Sequence, residues 1–199
     1  GLSPAALRAL AEADAFAGLG RDRRGALWEI AGLPAAPLPL FAAAEAAEPA
    51  AALAPLPEAA AVLDDYRATG LSLRAHPVSF LRAGLAARGI APCAALARSR
   101  DGALAEVAGL VLVRQRPGSA RGVLFVTLED ETGFANLIVW PDRFARNRPV
   151  LLTASLLAAR GRVQREGRVV HLIAEGFRDL TEALRALGRA AVPPARDFR

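Results

Sequence analysis

From position 107 onward the hydrophobic pattern of this 199-residue chain takes a period of two, and five short runs follow: 107–116, 123–130, 134–140, 156–165 and 169–174. Each is rich in Val, Leu, Ile or Phe, and each stops at turn-forming or polar residues. These are Pro117, Gly118 and Ser119; Glu131, Thr132 and Gly133; the polar stretch 142–148; and Glu166 with Gly167. Strands this short bury nothing alone and must close on one another. Five of them in so short a span, with a helical turn between the third and fourth, predict a small Greek-key barrel of the OB type.

Upstream the signals are helical. Ser3 before Pro4 supplies an N-cap hydroxyl and a proline at the first helical position, and Leu7, Leu10 and Ala11 then share a face. Gly18, Leu19 and Gly20 break that helix, and Asp22 caps a second one that buries Ala26, Leu27 and Ile30 and ends at Gly32 and Pro34. Residues 34–57 are almost all Ala, Pro, Leu and Glu, with six prolines, so they read as a linker. Helical spacing returns through Ala61, Val62, Asp65 and Tyr66, stops at Gly70, and resumes from Pro77 to Gly89. Asp179 with Glu182 three residues on starts a last helix, and the tail beyond Gly188 is expected to be mobile. The class is α+β: a short helical N-terminal segment (1–33), a Pro/Ala linker (34–57), a helical connector (58–104), the five-stranded OB-fold barrel (105–178), and a C-terminal helix and tail (179–199).

Charge narrows the choice of partner. All 25 basic residues are arginine, against 20 acids, and their distribution is uneven: four arginines against nine acids up to Asp65, then 21 against 11. A face for phosphates belongs in the C-terminal half. Cys93 is the one cysteine and His76 and His171 the two histidines, too few for a disulfide or a zinc site, so no cofactor is expected in this stretch. Acids and prolines interrupt every apolar run of membrane-spanning length. The chain opens at Gly1 and has no methionine, which reads as a piece of a longer cytoplasmic protein.

Several stretches resemble the C-terminal region of bacterial error-prone DNA polymerases of the DnaE class, the ImuC-type partner of ImuA and ImuB in damage tolerance. The strongest is 123–142 (VLFVTLEDETGFANLIVWPD), preceded by 109–118 (GLVLVRQRPG). Supporting ones are 13–16 (ADAF), 22–24 (DRR), 27–28 (LW), 65–66 (DY), 70–77 (GLSLRAHP) and 196–199 (RDFR). The resemblance implies a DNA-directed DNA polymerase as the parent chain, with Mg held by palm aspartates that lie elsewhere. It implies for this piece a non-catalytic end, similar to a helix-hairpin-helix remnant followed by an OB domain. Glu129 and Asp130 sit at a turn without a third carboxylate, so no catalytic residue is assigned.

An OB barrel commonly lays a nucleic-acid strand over its second and third strands, with aromatics for the bases and basic loops for the phosphates. Alternation places Phe125, Thr127, Phe134, Asn136, Ile138 and Trp140 on one face, and Leu124, Val126, Leu128, Leu137 and Val139 in the core. The candidate DNA-binding residues are Arg114, Arg116, Arg121, Phe125, Trp140, Arg143, Arg146, Arg160 and Arg162, with Arg148 and Arg165 nearby. Phe134 and Trp140 read equally as barrel packing. Leu38, Leu40 and Phe41 resemble a sliding-clamp peptide, with Pro37 where such a peptide carries glutamine. Docking back on the chain's own domain fits them as well. Gly18, Leu19 and Gly20 resemble a hairpin whose amides hold a phosphate. His76 reads as a helix-start residue, Cys93 as a small buried one and His171 as an exposed strand position. Single-stranded DNA, an ImuB-type protein and a sliding clamp are the expected partners, with a barrel that binds only proteins as the alternative.

Overall fold

The computed structural model describes residues 1–33 and 53–190, which divide into two units between Leu73 and Arg74. In the first, α1 (Pro4–Glu12) begins where the Ser3 hydroxyl accepts a hydrogen bond from the Ala6 amide at 3.2 Å. The second helix, α2 (Arg23–Ala31), begins where the Asp22 carboxylate accepts from Gly25 at 2.6 Å. The third, α3 (Glu58–Thr69), ends at Gly70 in the left-handed conformation. Arg23 ties α2 to α3. Its buried guanidinium donates to the Ala61 carbonyl at 3.0 Å and to Asp65, which also accepts from the Ser72 hydroxyl at 2.6 Å. The stretch expected to act as one connector is thereby divided, with α3 grouped with the N-terminal helices.

The second unit is built on a closed barrel in the order β1-β2-β3-β5-β4. Its strands are β1 (Leu104–Gln115), β2 (Leu124–Asp130), β3 (Gly133–Val139), β4 (Leu156–Glu166) and β5 (Val169–Asp179). All neighbours are antiparallel except β3 and β5, which pair in parallel through Asn136, Leu137 and Ile138. Closure needs two very close backbone approaches. A Cβ at Gly109 would lie 2.5 Å from the Glu129 carbonyl oxygen, and one at Gly161 only 2.0 Å from that of Ile173.

Inside the barrel, Val107, Leu124, Val126, Leu128, Leu137, Val139, Leu157, Val163 and Leu172 form the core. Cys93 and Leu96, from a 3-10 turn over Cys93–Arg98, join it at the Asp130–Thr132 turn. At the other end of β3, α5 (Pro141–Thr153) contributes Phe144 and Leu151. A second cluster lies outside the barrel wall. There Ala108, Leu156 and Ala158 meet Val78, Leu85, Ile90 and Leu180. Val78 belongs to a 3-10 turn over Pro77–Leu81, and Leu85 to α4 (Arg82–Ala86). The last helix, α6 (Thr181–Ala190), starts where the Asp179 carboxylate accepts from the Thr181 amide at 2.8 Å. The tail beyond it lies outside the described residues.

Candidate nucleic-acid interface

Strict alternation in β2 and β3 sends Leu124, Val126, Leu128, Ala135, Leu137 and Val139 inward and their neighbours outward. Pairing then arranges the outward side chains in rows across β2, β3, β5 and β4. One row is Phe125, Ile138, Ile173 and Arg162; the next is Thr127, Asn136, His171 and Gln164. In the third, Glu129 stands opposite Phe134. The Thr127 hydroxyl donates to the Asn136 Oδ1 at 3.1 Å, while the buried Nδ1 of His171 has no hydrogen-bond partner among the described residues. The second row therefore presents hydroxyl, amide and imidazole groups between a mostly apolar row and a charged one. His171, expected to be exposed, is half-buried within it.

Phe134 is 60% exposed and Trp140 49%, so neither packs the barrel interior. Trp140 stands at the N-cap position of α5, with Pro141 as the first helical residue. The β1–β2 loop comes to the same place: a Cβ at Gly122 would sit 3.5 Å from Pro141 Cγ. Arg116 donates to the Gly122 carbonyl at 3.2 Å and lies 4.8 Å above the Phe144 ring. Arg121 and Arg146 are exposed and make no ion pair among the described residues, whereas Arg143 lies 3.7 Å from Asp142. On β4, Arg160 and Arg162 point outward, and Arg162 donates to the Gly102 carbonyl at 3.2 Å. The result is an open face with aromatic and hydrogen-bonding groups, and arginines at its Trp140 end and along β4.

Residues 105–180 match the family described as "OB-fold nucleic acid binding domain". An error-prone DNA polymerase of Caulobacter vibrioides is 50% identical over 204 aligned residues, which cover the whole of this chain and 19% of that protein. Error-prone DNA polymerase 2 of Agrobacterium fabrum is 53% identical over 189, covering 90% of this chain and 17% of its own length. The chain is homologous to a C-terminal region of bacterial error-prone DNA polymerases. It spans about a fifth of the length of these relatives. Among solved structures, asparaginyl-tRNA synthetase from Pyrococcus horikoshii overlaps 46% of this chain and 22% of its own at 18% identity, with a TM-score of 0.38. That likeness is too distant to bear on function.

Several residues that mark the likeness to error-prone polymerases serve the fold. In the LEDETG stretch, the Asp130 carboxylate is buried and accepts from the Cys93 amide at 2.7 Å, the Thr132 amide at 2.8 Å and hydroxyl at 2.6 Å, and Arg82 at 2.7 Å. Burial pushes its pKa up, but the bonds from Thr132 and Cys93 and the Arg82 charge outweigh it and hold Asp130 below its ordinary range. Arg82 also pairs with Glu131. His76 starts the 3-10 turn as expected, its Nδ1 accepting from the Val78 amide at 3.2 Å, and burial lowers its pKa despite the nearby Glu129. Burial raises the Cys93 thiol, which keeps it protonated and inert.

Three of the groups expected to meet phosphates make contacts within the fold. Arg114 is the first. Its Nε donates to the Leu151 carbonyl at 2.6 Å and its Nη2 to that of Ala154, so it holds the end of α5. Arg165 is similarly spent on the carbonyls of Ala97 and Ser99. In the first unit, the amides of Leu19, Gly20 and Arg21 bond to the carbonyls of Phe16 and Ala17, so that turn has none of the three to offer an anion. Leu38, Leu40 and Phe41 lie outside the described residues. Among those described, no group of His, Cys, Asp and Glu is placed to hold a metal ion, and no helix is long and apolar enough to cross a membrane.

Proposed function

We propose that this chain is a non-catalytic end of an error-prone translesion DNA polymerase, and that its barrel holds single-stranded DNA on the outer β2–β3–β5 face. The observation that carries the reading is the Thr127–Asn136–His171–Gln164 row. It is a line of side chains that donate and accept hydrogen bonds, flanked by Phe125 and the exposed Phe134 and Trp140. Bases stack on such rings without regard to sequence, and amide and imidazole groups satisfy their edges. Arg121, Arg143, Arg146, Arg160 and Arg162 then follow the backbone, with Arg116 braced at the loop. Nucleotidyl transfer, with Mg on clustered carboxylates, falls to the remainder of the parent polymerase, in the cytoplasm where its template lies.

A protein-docking role for an ImuB-type partner or a sliding clamp is favoured by one feature, the exposed Leu112 and Val113 of β1 and Leu152 of α5. Fluorescence anisotropy with an oligothymidylate at several salt concentrations separates the two. Three to six phosphate contacts imply a log–log salt slope of about −2 to −4 for a single strand. Absence of binding at low salt would refute the DNA reading and leave the protein-docking one.

A further inference from the structure

On the barrel wall formed by β1, β4 and β5, an open cleft of about 400 Å³ is lined by Arg88, Glu106, Arg160, Gly176, Phe177 and Arg178. Three guanidinium groups surround one carboxylate. Arg178 pairs with Glu106, whereas the guanidinium groups of Arg88 and Arg160 have no hydrogen bond or ion pair among the described residues. The lining carries a surplus of two positive charges. A bulge shapes the floor. Arg160 pairs with Gly176 while Gly161 pairs with Ala174, so Glu175 is left over and the side-chain-free Gly176 lies under Arg160.

We infer that this cleft binds the phosphodiester backbone of a single strand as it leaves the β2–β3–β5 face, an inference that rests on the function proposed above. Planar guanidinium groups match phosphate oxygens through paired N–H donors, and Arg88 and Arg160 have theirs to give. The cleft continues the proposed track. The row from Phe125 through Ile138 and Ile173 ends at Arg162, and Arg160 is the next outward residue of β4. An open cleft admits a chain passing through, which an enclosed pocket for a small metabolite does not.

The test uses the whole 199-residue chain and oligothymidylates of about 6 and about 14 nucleotides, within the range of site sizes for one OB fold. Arg88→Gln should weaken the longer oligonucleotide about tenfold and leave the shorter one unchanged, and Arg160→Gln should weaken the longer one by more than the shorter. Glu106→Gln removes the carboxylate and releases Arg178, so it should tighten the longer one, a gain that structural damage does not produce. Wild-type affinity of the Arg88→Gln and Arg160→Gln variants for the longer oligonucleotide would overturn the cleft and leave the β2–β3–β5 reading intact. No binding of either oligonucleotide by the unaltered chain would overturn both. Tighter binding of an oligoglutamate peptide than of DNA, lost in the same two variants, would assign the cleft to an acidic protein partner instead.

Discussion

Asp130 shows how a residue that marks the likeness to polymerases works for the fold. Its carboxylate collects two amides, a hydroxyl and a guanidinium at the β2–β3 turn, fastening the Cys93–Arg98 turn and Arg82 to the barrel. Asp130→Asn keeps an acceptor for Thr132 but strips the charge that faces Arg82. It should destabilise the second unit by about 2–3 kcal/mol, less than a fully isolated pair because Glu131 still holds Arg82. Acid should act on the same region. Asp130 and His76 both have pKa values below their ordinary ones of 3.8 and 6.5, so the unfolded chain takes up the protons more readily and stability falls with pH. The loss should begin as the pH drops below the ordinary histidine value and continue below the ordinary aspartate one. His76→Asn, which keeps a cap acceptor and removes the first titration, should delay the onset in melting curves taken across pH.

Among the elements, β4 and β5 carry the closest backbone contact, and Gly161 is its condition. Gly161→Ala would press a methyl onto the Ile173 carbonyl and should cost about 2–3 kcal/mol in urea unfolding, with the slope unchanged. Alternation made the core of β2 and β3 legible from sequence, since one buried face imposes the period on both strands. It failed along β5, read to 174 but running on to Asp179, because the bulge at Glu175 adds a residue and resets the period. The helical turn expected between the third and fourth strands is a longer element, because a kink at Asn147 absorbs Pro149 and the helix continues to Thr153. The parallel pairing of β3 with β5, which brings His171 beside Asn136, joins distant segments and leaves no local trace. Trp140 reads equally as core or surface until α5 places it on the rim. There Trp140→Ala should cost about 1–3 kcal/mol of single-stranded DNA affinity, and the melting temperature should stay where it was.

Across the whole chain the charge is partitioned. Residues 1–73 hold five arginines and nine acids, and residues 74–199 hold twenty and eleven. A polyanion is therefore drawn to the second unit, as the sequence indicates, but composition does not say which arginines are free to meet it. Arg114, Arg165 and Arg82 donate to groups of the fold, whereas Arg121 and Arg146 are exposed without ion pairs. Each phosphate contact on a single strand contributes about 0.7 to the salt slope through counterion release. Arg121→Gln with Arg146→Gln should thus flatten the log–log slope by about 1.4 while the unfolding midpoint holds. Arg114→Gln should do the reverse, lowering the midpoint because the carbonyls of Leu151 and Ala154 lose their donor, and leaving the slope alone. Salt titrations of anisotropy run beside melting curves on these variants measure both quantities. If the Arg114 variant flattened the slope and the double variant did not, the division of the arginines into structural and phosphate-facing would be reversed.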